Sequence, residues 1–200
     1  MKTLSILFLT FGLLTITASS ASAQNKIATI DLRKVFDDYF KTKTADAALK
    51  ERASDLDKER KALLDQYEAS TAEYKKALDD ANNQAVSTDE REKRKKAAEG
   101  RLLEIKELEG NIQQFDRQAR ATLEEQQRRM RENILGEIKT TITSLAKLRG
   151  FSLVLDTAAE TANRTPVIIF SNGENDITDS ILVQLNAAAP PGALTLPDKK

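Results

Sequence analysis

From Asp31 to Arg149 this chain runs without a proline, and charged residues of both signs interleave through most of that stretch. A proline inside a helix removes a backbone hydrogen bond and clashes with the preceding turn, so a long run without one leaves continuous helix as the favoured structure. A helix this polar buries little by itself and must find a partner along one narrow stripe. Leu49, Leu56 and Leu63 recur every seven residues. Ala53, Tyr67, Tyr74 and Ala81 fit the companion heptad position, with Arg60 interrupting, so a coiled-coil-like seam is predicted. Ser70, Ala77 and Ala81 bury little, and the seam is thin.

The run is expected to fold back near residues 82–88. Asn82 and Asn83 are poor helix-interior residues. Ser87-Thr88-Asp89-Glu90 has the form of a capping box, in which Ser87 accepts from the Glu90 amide and the Glu90 carboxylate accepts from the Ser87 amide. The returning helix, Thr88 to Arg149, carries Ala98, Ile105, Leu108, Ile112, Phe115 and Ala119 on one seam. It then shifts phase to Leu123, Met130, Ile134, Ile138, Ile142 and Leu145. Gly100 and Gly110 lie inside it, each costing about 1 kcal/mol against alanine, and mark a candidate hinge. At helical rise the two limbs reach roughly 75 and 90 Å. A hairpin so thin is not stable alone, and its base must dock on something.

The flanking segments supply that base. Residues 1–23 read as a signal peptide: Lys2, an apolar run from Leu4 to Ile16, and Ala21-Ser22-Ala23 before a cleavage that leaves Gln24 as the mature start. Residues 24–40 hold a strand, Lys26 to Ile30, and a helix capped by Asp31 with Leu32, Val35, Phe36 and Phe40 on one face. Residues 41–149 form the arm. Residues 150–189 return to the base: Gly150 stops the helix, Phe151 to Leu155 reads as a strand, and Pro166 leads into a second, Val167 to Phe170. After the Ser171-Asn172-Gly173 turn comes a short helix capped by Asp176 or Thr178, with Ile181, Leu182 and Leu185 on one face. The Pro-rich stretch 190–200 reads as a disordered tail.

The expected fold class is therefore α+β, a long antiparallel helical hairpin on a small β-body. Three short strands and two helix ends are too little for an independent core, and their edges lack partners. The body is expected to be shared between subunits through Ile27, Ile30, Leu153, Val154, Leu155, Val167, Ile168, Ile169 and Phe170.

Composition limits the chemistry. The chain has no cysteine and no histidine, which excludes thiolate zinc sites, nucleophile–histidine pairs and disulfides. No catalytic, cofactor or metal constellation is found. Glu174, Asp176 and Asp179 miss the alternate spacing of a calcium loop and read as a capped turn. Asn163-Arg164-Thr165, a glycosylation sequon, supports only an exposed loop. Lysine plus arginine and aspartate plus glutamate number 31 each, which argues against a protein built to neutralise nucleic acid. The densest basic cluster is Arg91, Lys93, Arg94, Lys95, Lys96 and Arg101, just past the tip. It is a candidate contact for anionic partners or for transient touch with an anionic membrane surface, set against a plain solvated helix face partly neutralised by Glu92 and Glu99. Tyr67, Phe115 and Met130 read either as core between the arm helices or as apolar contacts for a bound partner.

Taken in order, Lys26-Ile27-Ala28-Thr29-Ile30-Asp31 with Val35-Phe36, then Gly150-Phe151-Ser152-Leu153-Val154-Leu155-Asp156, then Asp176-Ile177-Thr178-Asp179, resemble the Skp/OmpH-like periplasmic chaperones over essentially the whole mature chain. The resemblance implies a homotrimer with a small shared β-body and three helical arms around a cavity. That cavity would hold unfolded outer-membrane β-barrel proteins without ATP, in the periplasm, with no enzymatic activity. The chain departs from the family pattern in its near-neutral charge and in the tail from Ala187 to Lys200. Outside the resemblance, a coiled-coil envelope spacer or assembly adaptor is the alternative. Such a rod calls for Leu or Ile at nearly every seam position, where this chain has Arg60, Ser70, Gly100 and Gly110.

Overall fold

A computed structural model describes residues 26–83 and 85–193. The expected signal peptide and the tail from residue 194 lie outside the described residues. Strand β1 (Ile27–Ile30) leads into helix α1 (Leu32–Asp38) and helix α2 (Phe40–Ala81). After the tip come helix α3 (Thr88–Arg149), strand β2 (Leu153–Asp156) and helix α4 (Thr178–Asn186). The protein is mostly helical, with two long helices on a small two-stranded sheet.

Helices α2 and α3 contain 42 and 62 residues, about 63 and 93 Å of helix. In α2 the residues shielded from solvent are Thr42, Leu56 and Ser70, with Leu49, Leu63 and Ala77 half-buried between them, one heptad position throughout. Ala53, Arg60, Tyr67, Tyr74 and Ala81 are half-buried at the companion position. Across from them, α3 buries Ala98 and Ile105 distally, then Ile134, Ile138 and Leu145 near the base, on either side of the phase shift. At the tip Ser87 caps α3, its Oγ accepting from the Glu90 amide at 3.3 Å. The Glu90 carboxylate accepts from Arg94 Nε at 3.1 Å, so half of the expected capping box is present. At the other end Gly150 takes a left-handed conformation (φ 70°). Its amide donates to the Lys147 carbonyl and that of Phe151 to the Ala146 carbonyl, the paired bonds of a Schellman stop.

The two strands pair in parallel, Ile27 opposite Leu153 through Ile30 opposite Asp156, with the whole hairpin as their crossover. On the other side of β1 a single bridge joins Thr29 to Asp176. The core collects Ala28 and Ile30 from β1, Val35 and Tyr39, Ile134, Ile138 and Leu145 from α3, and Ile177, Ile181 and Leu185 around α4. Val154 packs against it from β2.

The molecule differs from the sequence reading in three places. The helix expected to run on from Asp31 breaks at Tyr39, whose backbone is extended (φ −71°, ψ 127°), so α1 stays with the body. Val167 to Phe170 forms no strand. Pro166 bridges Glu160 and the Val167 amide reaches the Ala159 carbonyl, but the rest pairs with neither described strand; Val167 and Ile169 stand in solvent and Ile168 is half-buried. Finally, Ile30 and Val154, expected in a core shared between subunits, face the core of their own chain. Strand alternation puts their neighbours, not them, on the outer face.

Candidate functional site

The residues behind the family resemblance converge on one point of the body. Asp31 caps α1, accepting from the Lys34 amide at 2.8 Å, while its own amide donates to Thr178 Oγ1 at 2.9 Å. Asp156 Oδ1 accepts from the amides of Leu32 (3.1 Å) and Ala158 (2.9 Å). Asp176 Oδ1 accepts from the Thr178 amide at 2.7 Å, two residues on, while the N-cap position of α4 is Ile177, which has no side-chain cap. Asp179 pairs with Lys34 at 3.0 Å. Asp156 thus ties β2 to the start of α1, and the Thr178 hydroxyl and the Lys34–Asp179 pair tie α4 to the same junction, while Asp31 and Asp176 serve amides of their own segments.

The arm emerges beside this junction. Tyr39 O–H donates to Glu137 Oε2 at 2.7 Å, and Lys41 Nζ reaches the same carboxylate at 2.8 Å. The ammonium of Lys41 and then the phenol hold the Glu137 carboxyl below the ordinary glutamate range. Burial first, then Glu137, pushes the Tyr39 phenol up. An open groove of about 830 Å³ runs alongside, lined by Tyr39, Glu132, Gly136, Glu137, Thr140 and Gln184 among others. The sequence reading missed this cluster. Its signal, a lysine and a glutamate flanking the seam, becomes visible only once the register of the hairpin is known.

Further out, polar rungs cross the hairpin. Arg60 donates to Asp116 at 2.9 Å, Tyr67 O–H to Glu109 at 3.0 Å, Arg101 pairs with Glu73 at 2.8 Å, and Arg94 reaches the Asp80 carbonyl at 3.4 Å. Arg60, which interrupts the heptad as a sequence, is thus matched across it. Tyr67 and Phe115 are half-buried on the seam, as is Met130 at its base. Between them the arm helices leave many of the seam residues partly open.

The basic cluster does not form one patch. At about 100° per residue, Arg91 and Lys95 share one face, Lys93 and Lys96 a second, and Arg94 and Arg101 a third. The third face is committed to Glu90, Glu104 and Glu73. Lys93, Lys95 and Lys96 are exposed. Gly100 and Gly110 sit in unbroken helix, and a Cβ added at either would meet nothing within 4 Å. No close approach requires glycine there.

On the body, Ile27 and Leu153, opposite each other in the sheet, are both exposed, and Leu155 and Ile168 are half-buried. Val167 is exposed as well, and Ile169 and Phe170 are each 83% exposed. Leu148 and Val183 add to this apolar surface. So many exposed large apolar side chains are unusual for a body this small.

A sequence profile of the OmpH-like outer membrane protein family matches residues 26–185. No curated relative matches the chain. The fold is similar to the crystal structure of an OmpH-like candidate outer membrane chaperone from Caulobacter crescentus. The two align with a TM-score of 0.52 at 17% identity, over 80% of this chain and 83% of the other.

Proposed function

The chain belongs to the OmpH-like outer membrane protein family, and from that premise we propose that it is an ATP-independent holdase chaperone of the periplasm, which keeps unfolded outer-membrane β-barrel proteins soluble between its helical arms. One observation carries the reading. A long hairpin with a thin, partly open seam projects from a compact body whose own outer face is apolar and uncovered. The seam offers many small apolar and polar contacts spread over a great length, which suits a client with no fixed shape. The apolar body face, Ile27, Leu153 and Val167 to Phe170, is where three copies join, so that the arms enclose a common cavity. Exposed Lys93, Lys95 and Lys96 near the tip are then free to touch anionic clients or an anionic membrane surface. The role needs no cofactor and no catalytic group, and export through the segment 1–23 would place the protein in the same compartment as its clients.

The test is suppression of aggregation. An unfolded outer-membrane β-barrel protein is diluted from denaturant with and without this protein, in the absence of nucleotide. Light scattering from the client is expected to fall to baseline near one trimer per client. Undiminished scattering at a several-fold excess of trimer would overturn the holdase reading and leave a structural rod as the better account.

A further inference from the structure

Nothing in the sequence around Tyr39 breaks a helix: there is no proline or glycine from Leu32 to Leu49. The break is made from a distance. Asn186, the last residue of α4, spans it with one amide group. Its Nδ2 donates to the Asp38 carbonyl at 3.2 Å and its Oδ1 accepts from the Phe40 amide at 2.9 Å. A single side chain thus serves the last carbonyl of α1 and the first amide of α2.

The bent joint leaves a debt two residues on. Thr42 is 2% exposed, and its hydroxyl has no hydrogen-bond partner. A helical threonine ordinarily donates to the carbonyl four residues back, as Thr44 does to Phe40 and Thr71 to Tyr67. For Thr42 that acceptor is the Asp38 carbonyl, which the break turns toward Asn186 instead. The Thr42 amide is likewise diverted, bonding the Tyr39 carbonyl at 3.0 Å. Phe40 and Ala45 pack on the body core, and beyond them the packing of α2 thins. Beside them lies a gap of about 340 Å³ against α3, lined by Ala45, Ala48, Leu49, Arg52, Gln126 and Met130. Small residues on one side and a flexible methionine on the other leave the helix room to shift.

We propose that Asn186 is a latch on the root of the arm, and that the joint has two states. With the latch engaged, Tyr39 is extended and the Thr42 hydroxyl is stranded. With it released, Tyr39 turns helical, the Asp38 carbonyl takes the amide and hydroxyl of Thr42, and the root of α2 slides over the gap against α3. The arm then flexes at Phe40 to Arg52, ahead of Gly100 and Gly110. That this movement adjusts the cavity to client size rests on the chaperone reading; the latch itself does not.

The chain has no cysteine, so spin labels can be placed at will. Cysteines at exposed Lys50 and Gln127 bracket the gap, and a second pair at exposed Lys75 and Lys106 reports on the distal arm. Distances are measured by pulsed electron resonance on the full chain without client. Asn186→Ala is expected to raise the released population at the root about fivefold or more, the effect of losing one or two hydrogen bonds, with the distal pair unmoved. Thr42→Val removes the stranded hydroxyl at constant shape and is expected to do the opposite: a narrower root distribution and a higher Tm. A root distribution unchanged in Asn186→Ala, or a lower Tm in Thr42→Val, would overturn the latch. Both outcomes are read without a client, so they stand whether or not the protein suppresses aggregation.

Discussion

Val35, Ile138, Ile177 and Ile181 in the body are wholly shielded from solvent, whereas beyond the base the arm shields Leu56, Ser70, Ala98 and Ile105. The body closes around branched aliphatic side chains, each stabilising by roughly 1.5 to 3 kcal/mol when fully buried. Its backbone ends are tied by Asp31, Asp156 and Asp176. The distal arm has only a two-helix seam in which serine and alanine fill half the shielded places. Its rungs, the half-buried Arg60–Asp116 and the exposed Arg101–Glu73, are screened by water. Such pairs add little stability but penalise a slipped alignment, so they fix which residues face each other. One region is held by burial and the other is kept in register by charge. A protein arranged this way can loosen its arm without loosening its body.

The largest expected effect separates the inside of the body from its outside. Val154→Asp places an unpaired charge in the chain's own core and is expected to cost several kcal/mol, with loss of cooperative melting by circular dichroism. Phe170→Asp alters a side chain that is already 83% exposed, so the folded subunit is expected to survive with helical signal intact. Under the proposed trimer, light scattering of Phe170→Asp should fall from about three times the monomer mass toward one. Retention of the full mass by Phe170→Asp would remove Val167 to Phe170 from the interface.

A smaller effect tests the arm alone. Gly100→Ala with Gly110→Ala meets no steric obstacle and is expected to stabilise α3 by roughly 1 to 2 kcal/mol. Hydrogen exchange should slow in the distal arm and stay unchanged in the body. Protection of a small and a large barrel protein can then be compared between wild type and the double variant. A loss confined to the large client would make these glycines hinges, while equal protection would leave them as tolerated helix defects.

The smallest effect concerns the boundary between the two regions. Lys41, and after it Tyr39, lower the pKa of Glu137 in the folded protein. The contribution of this group is therefore complete above the unfolded glutamate value of about 4.3 and is lost as pH falls through the lower folded value. Because the carboxylate is partly exposed, screening limits it to about 1 kcal/mol or less. Wild type and Glu137→Gln are expected to differ in Tm at pH 7 and to converge as the pH is taken below the ordinary glutamate range. A constant difference across that range would show that the ion pair is silent.

The body–arm contrast also marks what the sequence could reveal. Leu49, Leu56 and Leu63, the Ser87 cap and the Gly150 stop are local or periodic signals, and the structure places all of them as read. The break at Tyr39 was hidden because its cause, Asn186, lies 147 residues away in sequence, beyond any local pattern. Val167 to Phe170 misled for the converse reason: strand propensity describes a willingness to pair, and within one chain no edge answers it. The Tyr39–Lys41–Glu137 cluster needed the register of the hairpin, which in turn depends on rungs such as Arg60–Asp116 that look like defects when one helix is read alone.

The parallel pairing of β1 with β2 has a kinetic side. Ile27 meets Leu153 only after the whole hairpin has been made and has doubled back. Closing so long a loop from a disordered chain is slow, and contacts of such high sequence separation dominate folding time. Helices form within microseconds, so transient helix along the hairpin shortens the gap between its two ends before docking of the base fixes it. The reversal between Asn82 and Ser87 thus bears on a sheet at the far end of roughly 90 Å of helix. A lesion there would delay assembly of the body without touching any residue in it, leaving the first strand to wait unpaired while the chain is being completed.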